Sequence, residues 1–151
     1  MDQYPRVVVF DFDETLGQFS QPYLFWYYLK IYLKNKNLDT KYLFRFFDIF
    51  PKYFRTNLFK ILTNLKNKKI NGYCDLVMIY TNNAAPTFWV DIIKDYIHKK
   101  LNYNLFDQII RAYKVDGKKI EICRTSYTKS HRDFLKCSNL PSNTKICFID
   151  D

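Results

Sequence analysis

Apolar positions along this chain follow two patterns. Val7-Val8-Val9-Phe10 is an unbroken run, Leu76 to Tyr80 is a second, and Lys145 to Ile149 is a third. Short unbroken runs rich in β-branched residues predict strands buried on both faces, as in a parallel sheet. Between them the apolar residues recur at helical spacing. Thr56 to Ile70 carries Leu58, Phe59, Ile61, Leu62 and Leu65 on one face. Thr56 is expected to cap that helix, Lys66, Lys68 and Lys69 suit its last turn, and Asn71-Gly72 ends it. Pro86 is expected to open another helix, with Phe88, Trp89, Ile92, Ile93, Tyr96 and Ile97 on its inner side. Pro22 to Lys34 and Tyr42 to Tyr53 read as aromatic-rich helices joined at Asn35-Lys36-Asn37. Ser130 to Cys137 reads as a short helix with Ser130 and Asp133 as a capping box. Gln108 to Val115 and Lys118 to Cys123 read as strands around Asp116-Gly117, because a two-residue hairpin turn needs positive φ at both central positions.

Strands alternating with helices predict an α/β fold, with a mostly parallel sheet and one inserted antiparallel hairpin over 108–123. A length of 151 residues is that of one domain. The segment 22–53 is either a small helical lid or a wall of the core; its pattern fits both. There is no internal repeat.

Composition narrows the class. Apolar residues at 48% and charged residues at 26% exclude a disordered polymer, and 3 Gly with 5 Pro exclude a collagen-like or linker-like chain. The 24 Lys+Arg against 15 Asp+Glu give a net charge of +9, which favours anionic partners. However, the cations are 18 Lys to 6 Arg beside abundant Asn, Ile, Tyr and Phe, so a solvated lysine-rich surface outweighs a nucleic-acid role. Cys74, Cys123, Cys137 and Cys147 form no C-x-x-C pair, and each sits in an apolar run as a small buried hydrophobe would. Met1-Asp2-Gln3 is read as leading straight into the first strand, with no leader. The most lipid-like stretch, Pro22 to Leu33, is too short to span a membrane and carries Lys30. The expectation is a reducing intracellular compartment, cytoplasm or nucleus, and no membrane partner.

The chemistry lies where the strands end. Three of them finish in polar residues: Asp11 and Asp13, Thr81 and Asn82, Asp150 and Asp151. Ligands of open α/β sheets bind beyond the carboxyl ends of the strands. Carboxylates converging there repel one another and call for a cation. Oxygen-only ligands select a hard ion, and Mg²⁺ is the expected one. Such a site points to phosphate chemistry, which needs an in-line nucleophile, a proton donor for the leaving group and positive charge on the phosphoryl oxygens. A carboxylate can be the nucleophile and a second one the donor, with Thr hydroxyl, backbone N–H groups and a Lys holding the phosphoryl group.

Phe10-Asp11-Phe12-Asp13-Glu14-Thr15-Leu16 resembles the D-x-D-x-T signature of haloacid dehalogenase-superfamily phosphatases. Val77 to Asn82 is similar to their second motif, and Cys147-Phe148-Ile149-Asp150-Asp151 to their fourth. The D-x-D-E-T-L form, with Lys129 ahead of a short helix, resembles the NLI-interacting-factor-like or RNA polymerase C-terminal-domain-type phosphatases most. The resemblance implies a three-layer Rossmannoid fold and a Mg²⁺-dependent phosphatase forming an aspartyl-phosphate. It gives Asp11 as nucleophile and metal ligand. Asp13 becomes general acid and then base, with its backbone carbonyl on the metal. Thr15 steadies the loop, and Thr81 with the Asn82 amide binds the phosphoryl oxygens. Lys129 is the neutralising cation, with Lys136 as its competitor. Asp151 would contact the metal directly, and Asp150 would face Lys129 or a metal-bound water. Asn83 would line the pocket or cap the next helix, while His98 and His131 read as ordinary residues.

The expected substrate is phosphoserine or phosphothreonine protein, or a small phosphomonoester. The alternatives are a phosphatase of nucleotides or nucleic-acid ends, and an inactive anion-binding module. The family insert at the hairpin position implies a groove whose cations here are Arg111, Lys114, Lys118, Lys119 and Arg124. Two departures stand out. Gln18 and Phe19 occupy places where this branch often has a basic or imidazole group, and the sequence stops on the fourth motif, before the strand and helix the fold normally adds, as a truncated form would.

Overall fold

The computed structural model describes residues 4–86 and 88–151, so 1–3, read above as leading straight into the first strand, lie outside the described residues. The strands are β1 (Arg6–Phe10), β2 (Leu76–Tyr80), β3 (Gln108–Ile110), β4 (Lys114–Val115), β5 (Lys118–Lys119) and β6 (Lys145–Ile149). The helices are α1 (Ser20–Tyr32), α2 (Lys41–Ile49), α3 (Leu58–Ile70), α4 (Phe88–Leu101) and α5 (His131–Ser138), with a 3₁₀ turn at Pro51–Tyr53. Four strands form one sheet in the order β3-β2-β1-β6, and every pairing in it is parallel. This is an α/β fold compatible with a Rossmann-like arrangement.

Alternation along the strands sorts their side chains onto two faces. Phe10, Val77 and Ile79 join the larger core with Trp26 of α1, Leu43 and Phe47 of α2, Leu58, Leu62 and Leu65 of α3, and Trp89, Ile93, Tyr96 and Ile97 of α4. Val7, Val9, Met78, Tyr80 and Ile110 join a smaller cluster closed by Phe134 of α5. Segment 22–53 therefore packs as a wall of the larger core. Phe47 is wholly buried, and its ring meets those of Phe19, Phe54 and Tyr96 at centroid distances of 6.4, 5.0 and 5.2 Å.

Several expectations are corrected. The run 108–115 divides: β3 joins the main sheet in parallel, and the hairpin is only β4 with β5, joined by Asp116 and Gly117 at φ 49° and 75°. The division follows from Ala112, which is buried, and Arg111, whose side chain turns to Asp91 of α4 at 2.8 Å. The third apolar run, β6, is not buried on both faces. It lies at the edge of the described sheet, and Lys145, Cys147 and Phe148 are exposed. Asn57, in a left-handed conformation, precedes α3 in place of Thr56 and gives no side-chain cap bond. Phe88 is exposed, since it lies in the first turn of α4 away from the sheet. The Ser130 hydroxyl accepts from the Asp133 N–H as a cap should, but Asp133 does not reciprocate; its carboxylate bonds to Thr125.

Two cysteines are paired. Cys123 and Cys137 form a disulfide, because the turn after β5 and α5 come together with their Cα atoms 5.1 Å apart. Cys74 is the buried thiol expected, whereas Cys147 is exposed. The cysteines therefore do not support the inference of a reducing compartment, which took none of them to be paired. Among the described residues no helix is long and apolar enough to cross a membrane.

Candidate active site

Register decides which strand ends meet. Phe10 pairs with Ile149 on one side and Ile79 on the other, so Asp11 emerges between Asp150 and the end of β2. The Asp11 N–H continues the ladder by donating to the Ile149 carbonyl at 2.9 Å. Adjacent strands lie about 4.8 Å apart. One carboxylate oxygen from each of Asp11, Asp150 and Asp151 falls within 4.8 Å of the other two.

Lys129 reaches this cluster from the loop before α5. Its Nζ donates to Asp11 Oδ1 at 2.6 Å and to Asp150 Oδ2 at 3.2 Å. Burial works against ionisation of Asp150, but the bond to Lys129 and its charge outweigh that and hold the carboxyl below the usual carboxylate range. Lys136, the competing lysine, is exposed in the last turn of α5.

Asp13 is in a different environment. Asn83 Nδ2 donates to both of its oxygens, at 3.0 and 2.9 Å. Burial pushes the Asp13 carboxyl above its ordinary range; the Asn83 bond opposes this, while the charges of Asp11 and Glu14 add to it. The first two acids are thus differentiated, one facing a cation and the other partly buried beneath an amide. Asn83 is itself fixed: its N–H donates to Thr81 Oγ1 at 2.9 Å, and its Oδ1 accepts from the Ala85 N–H at 3.0 Å. The sequence left Asn83 open between lining the pocket and capping the next helix; its side chain holds Asp13 and accepts from the Ala85 N–H in the segment that leads to α4.

The loop after Asp11 doubles back tightly. Glu14, at φ 61°, donates its N–H to the Gly17 carbonyl at 3.0 Å, and Leu16 donates to the Phe12 carbonyl at 3.0 Å. Gly17 is pressed against the 53–55 segment, where a Cβ would collide with the Tyr53 carbonyl and approach the Phe19 ring to 2.7 Å. Arg55 Nη1 closes the other side on the Glu14 carbonyl at 2.8 Å. The loop is held by these bonds rather than by the Thr15 hydroxyl, which is buried without a partner among the described residues.

Thr81 is 1% exposed at the end of β2, and its N–H donates to the Ile110 carbonyl at 3.0 Å. Asn82 Nδ2 donates to the Tyr127 carbonyl at 2.9 Å, which ties the second strand end to the Lys129 loop. Arg124, counted above among the groove cations, is wholly buried and unavailable to a ligand. Asp133, counted as a cap, is also wholly buried and anchors Thr125 through N–H and Oγ1 bonds of 2.8 to 3.0 Å. No short-range pattern marks these anchoring roles, because the partners are backbone groups or residues of an irregular loop. Lys118 and Lys119 are exposed on the hairpin.

The donor set fits a hard divalent ion. Asp11, Asp150 and Asp151 offer only oxygens, and one ammonium group does not balance three carboxylates. Comparison with protein-family models, curated proteins and solved structures gives no significant match.

Proposed function

We propose that this chain is a Mg²⁺-dependent phosphoric monoester hydrolase of haloacid dehalogenase-like architecture, acting on phosphoserine or phosphothreonine in protein. The observation that carries the reading is the differentiated carboxylate pair: Asp11 faces the Lys129 ammonium group at 2.6 Å, while Asp13 is capped by Asn83 and pushed toward the protonated form. The two acids have the separate environments that a nucleophile and a proton donor need.

In this reading an Asp11 carboxylate oxygen attacks phosphorus in line and forms an acyl-phosphate bond as the ester P–O bond breaks. Asp13 gives its proton to the departing ester oxygen. In the second half, Asp13, now a carboxylate, takes a proton from water as that water attacks phosphorus. The Asp11–phosphorus bond breaks, and inorganic phosphate leaves with the Asp11 carboxylate restored. Lys129 would offset charge on the phosphoryl oxygens, and the Thr81 hydroxyl, which accepts from the Asn83 N–H, keeps its own proton to donate to one of them. Asp11, Asp150 and Asp151, with the Asp13 carbonyl, are the groups that would hold Mg²⁺. When bound, the ion supplies charge neutralisation that lets an anionic nucleophile approach an anionic phosphate.

The test is release of phosphate from an aryl phosphate in Mg²⁺ by the parent chain and by Asp11→Asn. Loss of turnover in the variant, and in the parent with chelator, is expected. A variant as active as the parent overturns the mechanism. Turnover on phosphopeptides against 3′- or 5′-phosphorylated oligonucleotides then fixes the substrate class.

A further inference from the structure

Arg124 is a charged side chain with 0% exposure, and its three bonds go to carbonyl oxygens rather than to a carboxylate. Nη1 donates to the Thr81 carbonyl at 3.0 Å and to the Arg111 carbonyl at 2.9 Å. Nη2 donates to the Tyr127 carbonyl at 2.9 Å. The guanidinium group lies over the Tyr80 ring, 4.8 Å from its centroid, and its Nε has no hydrogen-bond partner among the described residues. Burying a cation with one donor unsatisfied is costly, and hydrophobic packing would stabilise the same space as well or better. What the guanidinium adds is geometry, because its planar fork binds several acceptors at fixed angles.

Those acceptors have one thing in common. Thr81 follows β2, Arg111 follows β3, and Tyr127 lies two residues before Lys129. The Tyr127 carbonyl also accepts from Asn82 Nδ2 at 2.9 Å, so two side-chain donors fix the same backbone group. One residue after Arg124, Thr125 is held by Asp133. These bonds, with the Cys123–Cys137 disulfide next to Arg124, tie the loop that carries the ammonium group to the sheet and to α5.

The geometry points to Arg124 as the positioning residue for Lys129: its buried fork locks the loop carrying the ammonium group onto the end of β2, and so sets where Nζ stands against Asp11. This inference rests on the hydrolase reading for what Lys129 does, but not for how its loop is held. Displacement by about 1 Å costs on the order of a hundredfold in rate at a positioned site. Lysine keeps the charge of Arg124 but not the fork.

The experiment is a double-mutant cycle of the parent chain, Arg124→Lys, Lys129→Met and both together. Each is read by hydrolysis of an aryl phosphate in Mg²⁺ and by amide hydrogen exchange without it. Arg124→Lys is expected to lower kcat at least about tenfold with KM changed less than about threefold, and to change the residual rate less than about twofold when Lys129 is already Met. Exchange in 125–129 is expected to quicken while α4 keeps its protection. Equal losses in both backgrounds, or unchanged exchange in 125–129, overturn the assignment. Should the parent release no phosphate, the hydrolase reading fails by itself and exchange alone decides: faster exchange in 125–129 upholds the anchoring role, and unchanged exchange overturns it. If Arg124→Lys does not fold, Arg124→Gln, neutral and able to reach one carbonyl, takes its place under the same criteria.

Discussion

Lys129 and Asp11 lie 118 residues apart in sequence, and their side chains meet at 2.6 Å with both largely shielded from water. Shielding makes the charge worth more than it would be on the surface. Lys129→Met is expected to lower kcat on an aryl phosphate by roughly 10²- to 10³-fold, the range for losing one preorganised group at a developing anion. Lys129→Arg is expected not to restore it, because a planar fork does not replace a compact ammonium group. Steady-state kinetics of the two variants decide this.

Asn83 Nδ2 donates to both oxygens of Asp13. Asn83→Ala frees that carboxylate and also removes the bond to the Ala85 N–H. A drop of more than about tenfold in kcat is expected, with far-UV circular dichroism unchanged. Full activity in Asn83→Ala would show that Asp13 needs no such support.

His98 gives the fold a pH dependence of known sign. Its Nε2 accepts from the Phe106 N–H at 3.0 Å, which requires the neutral ring. Burial, helped by the Lys94 charge, pulls its pKa below the ordinary histidine value. The unfolded chain therefore takes up the proton first as pH falls. This contribution is whole above about pH 6.5 and is lost progressively below it, toward the folded pKa. Thermal midpoints from pH 7.5 to 5 are expected to fall more steeply for the parent than for His98→Gln.

The Cys123–Cys137 bond closes a loop at a sequence separation of 14. A loop of that length is worth about 3 kcal/mol through restriction of the unfolded chain. Denaturant titration with and without a dithiol reductant should show a loss of that order in the parent. Cys137→Ser should match the reduced parent and not respond to reductant.

Phe47 is wholly buried among aromatic rings, while Tyr32 is 83% exposed. Phe47→Ala is expected to cost about 3–5 kcal/mol in unfolding free energy, and Tyr32→Ala less than about 0.5 kcal/mol. A comparable loss in both would mean that α1 and α2 do not form the wall described.

Much of this architecture is legible in local patterns, and the reasons differ by element. Val7 to Phe10 and Leu76 to Tyr80 declare themselves because central parallel strands must be apolar on both faces. Asp116-Gly117 declares its turn because few residue pairs accept two positive φ angles. The same rule misjudges Lys145 to Ile149: hydrophobicity reports what a strand tolerates, not whether a neighbour covers it. Gln108 to Val115 reads as one strand because side-chain pattern does not reveal where backbone pairing stops. Thr81, Asn82 and the acids stand at strand ends, where sequence order alone brings them near one edge. Arg124 and the Cys123–Cys137 pair escape such reading because their partners are set by the packing of α5 and an irregular loop.

The in-step alignment of β1 with both neighbours has a consequence for how this protein can change. Deleting one residue within Val7 to Phe10 would send every following side chain of the strand to the opposite face. Val9 and Phe10 would exchange cores, and Asp11 would turn away from Asp150 and Lys129. Length variation in this strand is therefore closed to evolution twice over, whereas the turn at Asn35 to Asn37 is free to grow or shrink.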